Sequence, residues 1–280
     1  MKVVLRVRGN PWWARRIETI SPAVELPEKE KLRQLLNAAL ATAYFSRRDR
    51  ADLLLGAESL ADLPIIGVRE VLDRRSQFSN KRAGTSERLL RLPFASKQCV
   101  LMGRKLRLPA GTVYLEEKNL GRLHLGKTQM LAATPAVLRR ICSAIEARTL
   151  ALPRLNEAVV VLQGMEEGIL FEGERDMLWR CLGVPVFEQW LGLDGELLAA
   201  ECVAHQGLHF QSGKAQLESV GGQLVLTSWF GLQTPVPRLG TGWMAEVDHR
   251  VCHCGDDRPI LRSLSLKQNT WAAQQIAATA

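Results

Sequence analysis

This sequence has little of what would place it in a membrane or outside the cell. No apolar run approaches the ~18 residues that a transmembrane helix needs. The first 20 residues carry Lys2, Arg6, Arg8, Arg15 and Arg16, and no apolar core of the kind a signal peptide uses. Six cysteines in 280 residues lack the dense spacing of a small disulfide-stapled domain. These absences point to a reducing, cytoplasmic setting, where close cysteines bind metal more often than they bond to each other. Common catalytic signatures are missing too. There is no HExxH, no GxSxG, no Walker lysine loop, and no GxGxxG opening a helix after a strand. No internal repeat or low-complexity tract breaks the chain.

The residues present describe a globular protein. Apolar residues make up 46% and charged residues 24%, so the chain can bury a core and is not of the disordered class. The net charge of +8 favours anionic partners, such as a nucleotide, a coenzyme-A-type molecule or an anionic surface. No nucleic-acid-binding fold signature accompanies it, so nucleic acid is not the expected partner. "PWWARR" places Trp12 and Trp13 beside Arg15 and Arg16. It reads as an anchor that docks the terminal segment on its own domain, with a basic surface-binding module as the alternative.

The order of elements is helical first, mixed next and β-rich last. "PEKEKLRQLLNAALATAYFSR" is an amphipathic helix, with Pro27 in its first turn, Glu28 and Glu30 at its positive end, and Leu32, Leu35, Leu36, Ala39, Leu40 and Ala43 on one stripe. "SLADLPIIGVREVLDRR" reads as a short helical start, a proline-led turn and a second helix. In "ATPAVLRRICSAIEART", Thr134 caps a helix that has Pro135 at its first position. "EAVVVLQG" is a buried strand, "ERDMLWRCLG" a helix closed by Gly183, and "VPVFEQWLG" another strand. After residue 200, short strands alternate with glycine-rich turns. The tail "NTWAAQQIAATA" reads as a weak helix. These signals predict an α/β domain closed by a β-rich subdomain.

Four of the five histidines and three of the six cysteines fall between 202 and 254. Zinc takes tetrahedral cysteine and histidine ligands, commonly as two close pairs far apart in sequence. Cys252 and Cys254 form one pair, followed by Gly255. Cys202 begins the other, with His205 at ordinary spacing or His209 if a hairpin forms at Gly207. Ordinary core packing of these residues is the competing reading, because free cysteine is often buried.

"GVPVFEQWLGLDGELLAAECVAHQGLHF", "GGQLVLTSWFGLQTPVPRLGTGW" and "CHCGDDRPIL" follow one another in the order seen in the phenylacetate–CoA ligase branch of adenylate-forming enzymes. The sequence resembles that branch collinearly over most of 29–262. The resemblance implies a reduced form of the large N-terminal domain. Residues 1–28 would be a strand with the Trp/Arg segment, 29–199 the α/β core, 200–267 the β-rich subdomain, and 268–280 a tail. It also implies a structural zinc on Cys202, His209, Cys252 and Cys254, with His205 the second choice to His209.

Such enzymes join ATP to a carboxylate and release pyrophosphate, often passing the acyl group to coenzyme A. The resemblance carries their motifs to this chain unevenly. Gly84, Thr85 and Ser86 match the phosphate-wrapping loop, but Glu87 stands where a glycine is expected and would repel a triphosphate. Asp194, after Trp190, matches the magnesium carboxylate, with Glu196 close by. Glu166 matches the acid near the adenine. Arg238 and Thr241 match the arginine and threonine before the ribose-binding aspartate, but that aspartate is Trp243. An indole cannot accept the ribose hydroxyl bonds. The acid-binding stretch is short, and the lid with its lysine has no counterpart. The expectation is a homologue without self-sufficient ligase activity that binds ATP, AMP, an acyl-adenylate or a coenzyme-A-type molecule, or acts as a scaffold. An active acid–CoA ligase using a partner chain's lid and Mg is the alternative, and a homo-oligomer is open to either.

Overall fold

Helix α1 (Glu28–Leu40) buries Leu32, Leu35 and Ala39 on one face, as its apolar spacing dictates. It stops earlier than the pattern predicts. The Thr42 hydroxyl donates to the Ala39 carbonyl at 2.7 Å, and the Tyr44 amide donates to the Gln77 carbonyl at 2.9 Å. The chain turns there so that Tyr44 and Phe45 can pack on Phe78, with the Tyr44 and Phe78 rings stacked 3.9 Å apart. The computed structural model describes residues 28–83, 90, 92–93, 99–106, 111–125, 129–151, 155–229 and 232–266. The readings for the Trp12–Trp13 segment, for Gly84, Thr85 and Ser86, and for the tail lie outside them.

Helices α2 (Arg48–Leu55), α3 (Val68–Asp73) and α4 (Arg75–Phe78) follow, with strand β1 (Ile66–Gly67) leading into α3. The middle of the chain alternates strands β2 (Cys99–Met102), β3 (Thr112–Tyr114), β4 (Met130–Ala133), β5 (Ala158–Gly164) and β6 (Val186–Leu191) with helices α5 (Pro135–Glu146) and α6 (Glu174–Leu182). The last third is strands β7 (Leu197–Glu201), β8 (Leu208–Phe210), β9 (Ala215–Val220), β10 (Gln223–Ser228), β11 (Leu239–Gly240), β12 (Trp243–Asp248) and β13 (Ile260–Leu266). Helix α5 begins after Thr134 with Pro135 in its first turn, and Gly183 closes α6 at φ +70°, as the sequence predicts, but the Thr134 side chain makes no capping bond. No helix among the described residues is long and apolar enough to cross a membrane.

Two sheets result. The larger runs β3-β2-β4-β5-β6-β7-β8-β13-β12. Its β3-to-β6 half is parallel, and its β6-to-β12 half is antiparallel. The smaller runs β1-β11-β10-β9. The expected boundary between residues 199 and 200 falls inside β7, which hydrogen-bonds to β6 on one side and β8 on the other. The α/β and β-rich parts therefore share one continuous sheet.

Strand β5 shows how the core divides. Every residue from Ala158 to Gly164 is buried. Val159 and Val161 pack under α5 and α6, while Ala158, Val160 and Leu162 join Leu101, Met130 and Phe187 on the opposite face. Side chains alternate along a strand, so one all-apolar segment serves two cores. A third core joins the N-terminal helices to the smaller sheet and to Trp190, Phe210 and Trp243.

Candidate functional site

The cysteine and histidine cluster is assembled by the antiparallel strands. Cys202 follows β7, His209 lies within β8, and Cys252 and Cys254 lie in the turn between β12 and β13. One ligand atom from each lies within 4.8 Å of all the others. The Cys202 and Cys252 sulfurs are 3.6 Å apart, and Cys254 Sγ is 3.6 Å from His209 Nε2. A tetrahedral zinc with ~2.3 Å bonds to sulfur and ~2.0 Å to nitrogen would set sulfurs about 3.8 Å apart, and sulfur and nitrogen about 3.5 Å apart. The residues therefore fit zinc in both donor type and spacing.

His205 is placed elsewhere. Its Nδ1 lies 2.9 Å from Glu201 Oε1, and its ring rests against Phe187. Gly207 decides between the two histidines. It takes φ +124°, and a Cβ there would lie 2.6 Å from the Leu261 carbonyl oxygen. Only glycine lets β8 approach β13 this closely and carry His209 inward. Gly207→Ala is expected to destabilise the protein by about 1–3 kcal/mol through backbone strain, read by denaturant unfolding.

Sequence reasoning missed the groups around the cluster. His209 Nδ1 faces Asp256 Oδ1 at 3.8 Å, and Asp256 is in turn held by Arg258. A carboxylate behind a ligating imidazole fixes its ring orientation. Gln206 Oε1 accepts from the Cys252 thiol at 3.4 Å and from the His253 amide at 3.1 Å. Gly255, at φ +86°, closes the turn by donating its amide to the Cys252 carbonyl at 2.8 Å. Burial and the neighbouring sulfurs push the Cys254 thiol up to about 12. Asp256 two residues after Cys254 is the one signal the sequence carried.

A second group gathers at the C-terminal ends of the parallel strands, where open α/β sheets hold their ligands. Arg75 from α4 and Arg104 after β2 both reach the Leu193 carbonyl, at 3.1 and 2.9 Å. Both also bind the Glu166 carboxylate after β5, and Arg104 pairs with the largely buried Glu167. Asp194 is buried, at 2% exposure. It accepts bonds from the amides of Gln233 and Thr234 at 3.1 and 3.0 Å, and from the Thr234 hydroxyl at 2.7 Å. Glu196 is equally buried and accepts from the Asp194 amide and the Ser228 hydroxyl, each at 3.1 Å. Burial first, and the Asp194 charge second, push the Glu196 carboxyl up to about 7. A pocket of about 460 Å³ opens beside Asp194, lined by Arg75, Ser76, Ser79, Asn80, Lys81 and Thr234.

The sequence matches no known protein-family model and no curated protein. The three-dimensional structure does have solved counterparts. One is an open-conformation 2-hydroxyisobutyryl-CoA ligase in complex with 2-HIB-AMP and CoA. It superposes with a TM-score of 0.63 at 13% identity, over 86% of this chain and 69% of its own. The same ligase in its postadenylation state, in complex with R3-HIB-AMP, gives 0.63 at 13% identity over 89% and 72%. This chain has the fold of an adenylate-forming ligase. At 13% identity the likeness is one of architecture.

On this adenylate-forming-ligase fold, the remaining expected nucleotide residues are held in internal contacts. Arg238 bonds to both Glu218 oxygens at 3.1 Å and to the Leu63 carbonyl at 2.8 Å. The Thr241 hydroxyl donates to the Leu224 carbonyl at 2.8 Å and accepts from the Trp243 amide at 3.1 Å. Trp243 is 3% exposed and packs against Trp190, with ring centroids 5.3 Å apart. Asp194 and Glu166 flank one region, whereas Arg238 and Thr241 sit on or beside the smaller sheet.

Proposed function

We propose that this chain is a reduced homologue of the ATP-dependent acid–CoA ligases. In this reading it binds a nucleotide or acyl-adenylate anion without self-sufficient ligation, and it carries one structural zinc. The observation that carries the reading is Trp243. In the sequence match it stands where the ribose-binding aspartate is expected, and it lies buried against Trp190. A buried indole offers no acceptor for ribose hydroxyls. Asp194 points the same way, because its oxygens are engaged by residues 233–234 instead of being open for magnesium. The pocket beside it still presents Arg75, Lys81 and several hydroxyls, a lining that suits phosphate oxygens.

Cys202, His209, Cys252 and Cys254 would hold the zinc, which would supply folding energy and no chemistry. Four protein ligands leave no position for water or substrate.

Calorimetry with ATP and AMP, paired with ATP–pyrophosphate exchange over a panel of aryl and acyl acids, tests the nucleotide reading. Binding of one nucleotide without exchange is the expected result. Exchange above the protein-free blank would overturn the loss of activity, and absence of any nucleotide binding would overturn the binding role.

A further inference from the structure

A cleft of about 890 Å³ opens between the start of α6 and strands β7, β8 and β13. Its size is that of a small-molecule site. Of the residues read above as nucleotide-binding or zinc-binding, His205 alone lines it, and its ring nitrogen Nδ1 is held at Glu201 and not at the cysteines. Gln163 and Glu188 share strand parity with Val161 and Val186, which pack under α5 and α6. The cleft therefore belongs to the helix-bearing face of the large sheet, beyond the reach of the helices.

Its floor is a charged network. Arg175 Nη1 donates to Glu188 Oε1 at 2.9 Å, and Arg175 Nη2 donates to Glu201 at 2.7 Å. Gln163 donates to the other Glu188 oxygen, and the Glu188 amide donates to Glu201 Oε2 at 3.0 Å. Arg175 Nη2 has two hydrogens. The Val186 carbonyl and Glu201 take both. His205 Nδ1 lies 2.9 Å from both Arg175 Nη2 and Glu201 Oε1; with both Nη2 hydrogens taken, the tautomer that donates Nδ1–H to Glu201 leaves Nε2 as an acceptor.

The charges do not balance. Glu188 and Glu201 face one guanidinium, so the floor carries one excess negative charge when His205 is neutral. Glu172 on the rim adds to it, and Asp176 lies along α6. Arg262 also lines the cleft and shares Asp248 with Arg250, but with Glu172 counted the lining still holds three carboxylates against two guanidiniums. Glu201 is sealed at 2% side-chain exposure, whereas Glu188 keeps 19%. Above this floor the walls are apolar, with Leu170, Phe171 and Leu264 only partly covered.

We propose that this cleft binds a small amphipathic primary amine. Its ammonium group donates to Glu188 and to His205 Nε2, and its apolar body lies against Leu170, Phe171 and Leu264. The ammonium supplies the cation the floor lacks. A carboxylate of the same shape meets the excess negative charge and is excluded. The site does not depend on nucleotide binding.

Calorimetry on the full chain, with 3-phenylpropylamine and 3-phenylpropanoate as matched probes, tests it. The amine is expected to bind one per chain and the acid not to bind. Glu188→Gln keeps the shape and removes the charge, and should weaken the amine about tenfold. His205→Asn suits the φ +50° backbone at this position and removes Nε2. It should weaken the amine severalfold. Acid binding as tight as the amine, no binding of the amine, or amine binding unaffected by both substitutions would each overturn the proposal.

Discussion

Replacing Cys252 with serine is expected to remove about one zinc per chain and to lower stability by more than about 4 kcal/mol, the range reserved for loss of a metal or a comparable element. The size follows from where the cluster sits. It ties the end of β7 and the middle of β8 to the β12–β13 turn. These strands are consecutive in the antiparallel half of the large sheet. Without a cation, three thiols and an imidazole crowd within 4.8 Å with burial acting on them, and the turn is held only by the Gly255–Cys252 backbone bond and by contacts to Gln206 and Asp256. Elemental analysis of protein purified without added metal, alongside thermal unfolding of wild type and variant, measures both effects. A well-folded protein free of metal would remove the zinc from this account.

Glu196→Gln is expected to stabilise the protein above neutral pH and to leave it nearly unchanged at about pH 4. The carboxyl is pushed from 4.5 up to about 7 by burial and by Asp194. The folded state therefore holds a proton that the unfolded state releases. Stability is full below the unfolded value of 4.5 and falls as pH rises, until the folded group ionises near 7. At 1.36 kcal/mol per pKa unit, the loss across that window is about 3 kcal/mol. Glutamine avoids it, because its amide can donate to the Ser228 hydroxyl while its oxygen still accepts from the Asp194 amide. Urea unfolding of both proteins from about pH 4 to about pH 8 reads the difference. Parallel pH profiles for wild type and variant would show that Glu196 does not hold this proton.

Trp243 and Asp194 explain why motif matching alone reads this site poorly. Sequence order marks both as positions where nucleotide chemistry is expected. Whether a side chain can meet a ligand depends on what already occupies its hydrogen bonds, and those partners come from distant segments. Gln233 and Thr234 reach Asp194 from 39 and 40 residues away, and Glu218 reaches Arg238 from 20. Arg75 and Arg104 were not singled out at all, because isolated arginines carry no spacing signal. Only the convergence of α4 with the end of β2 brings them onto Glu166 and Leu193.

By itself the sequence determined the local elements with strong periodicity or chemical punctuation. The buried run of β5, the Thr134–Pro135 start of α5, the Gly183 stop of α6 and the glycine-separated strands after 200 all follow from local steric and capping rules. It also determined which residues were available to a metal. The tertiary structure alone decided the rest. It joined the parallel and antiparallel halves into one sheet, because strand pairing between distant segments leaves no local trace. Short strands such as β1 and β2 were unreadable for the same reason. It also brought His209 to the cysteines and sent His205 toward Glu201. That choice rests on one close approach, Gly207 against the Leu261 carbonyl, which exists only once β8 and β13 lie side by side.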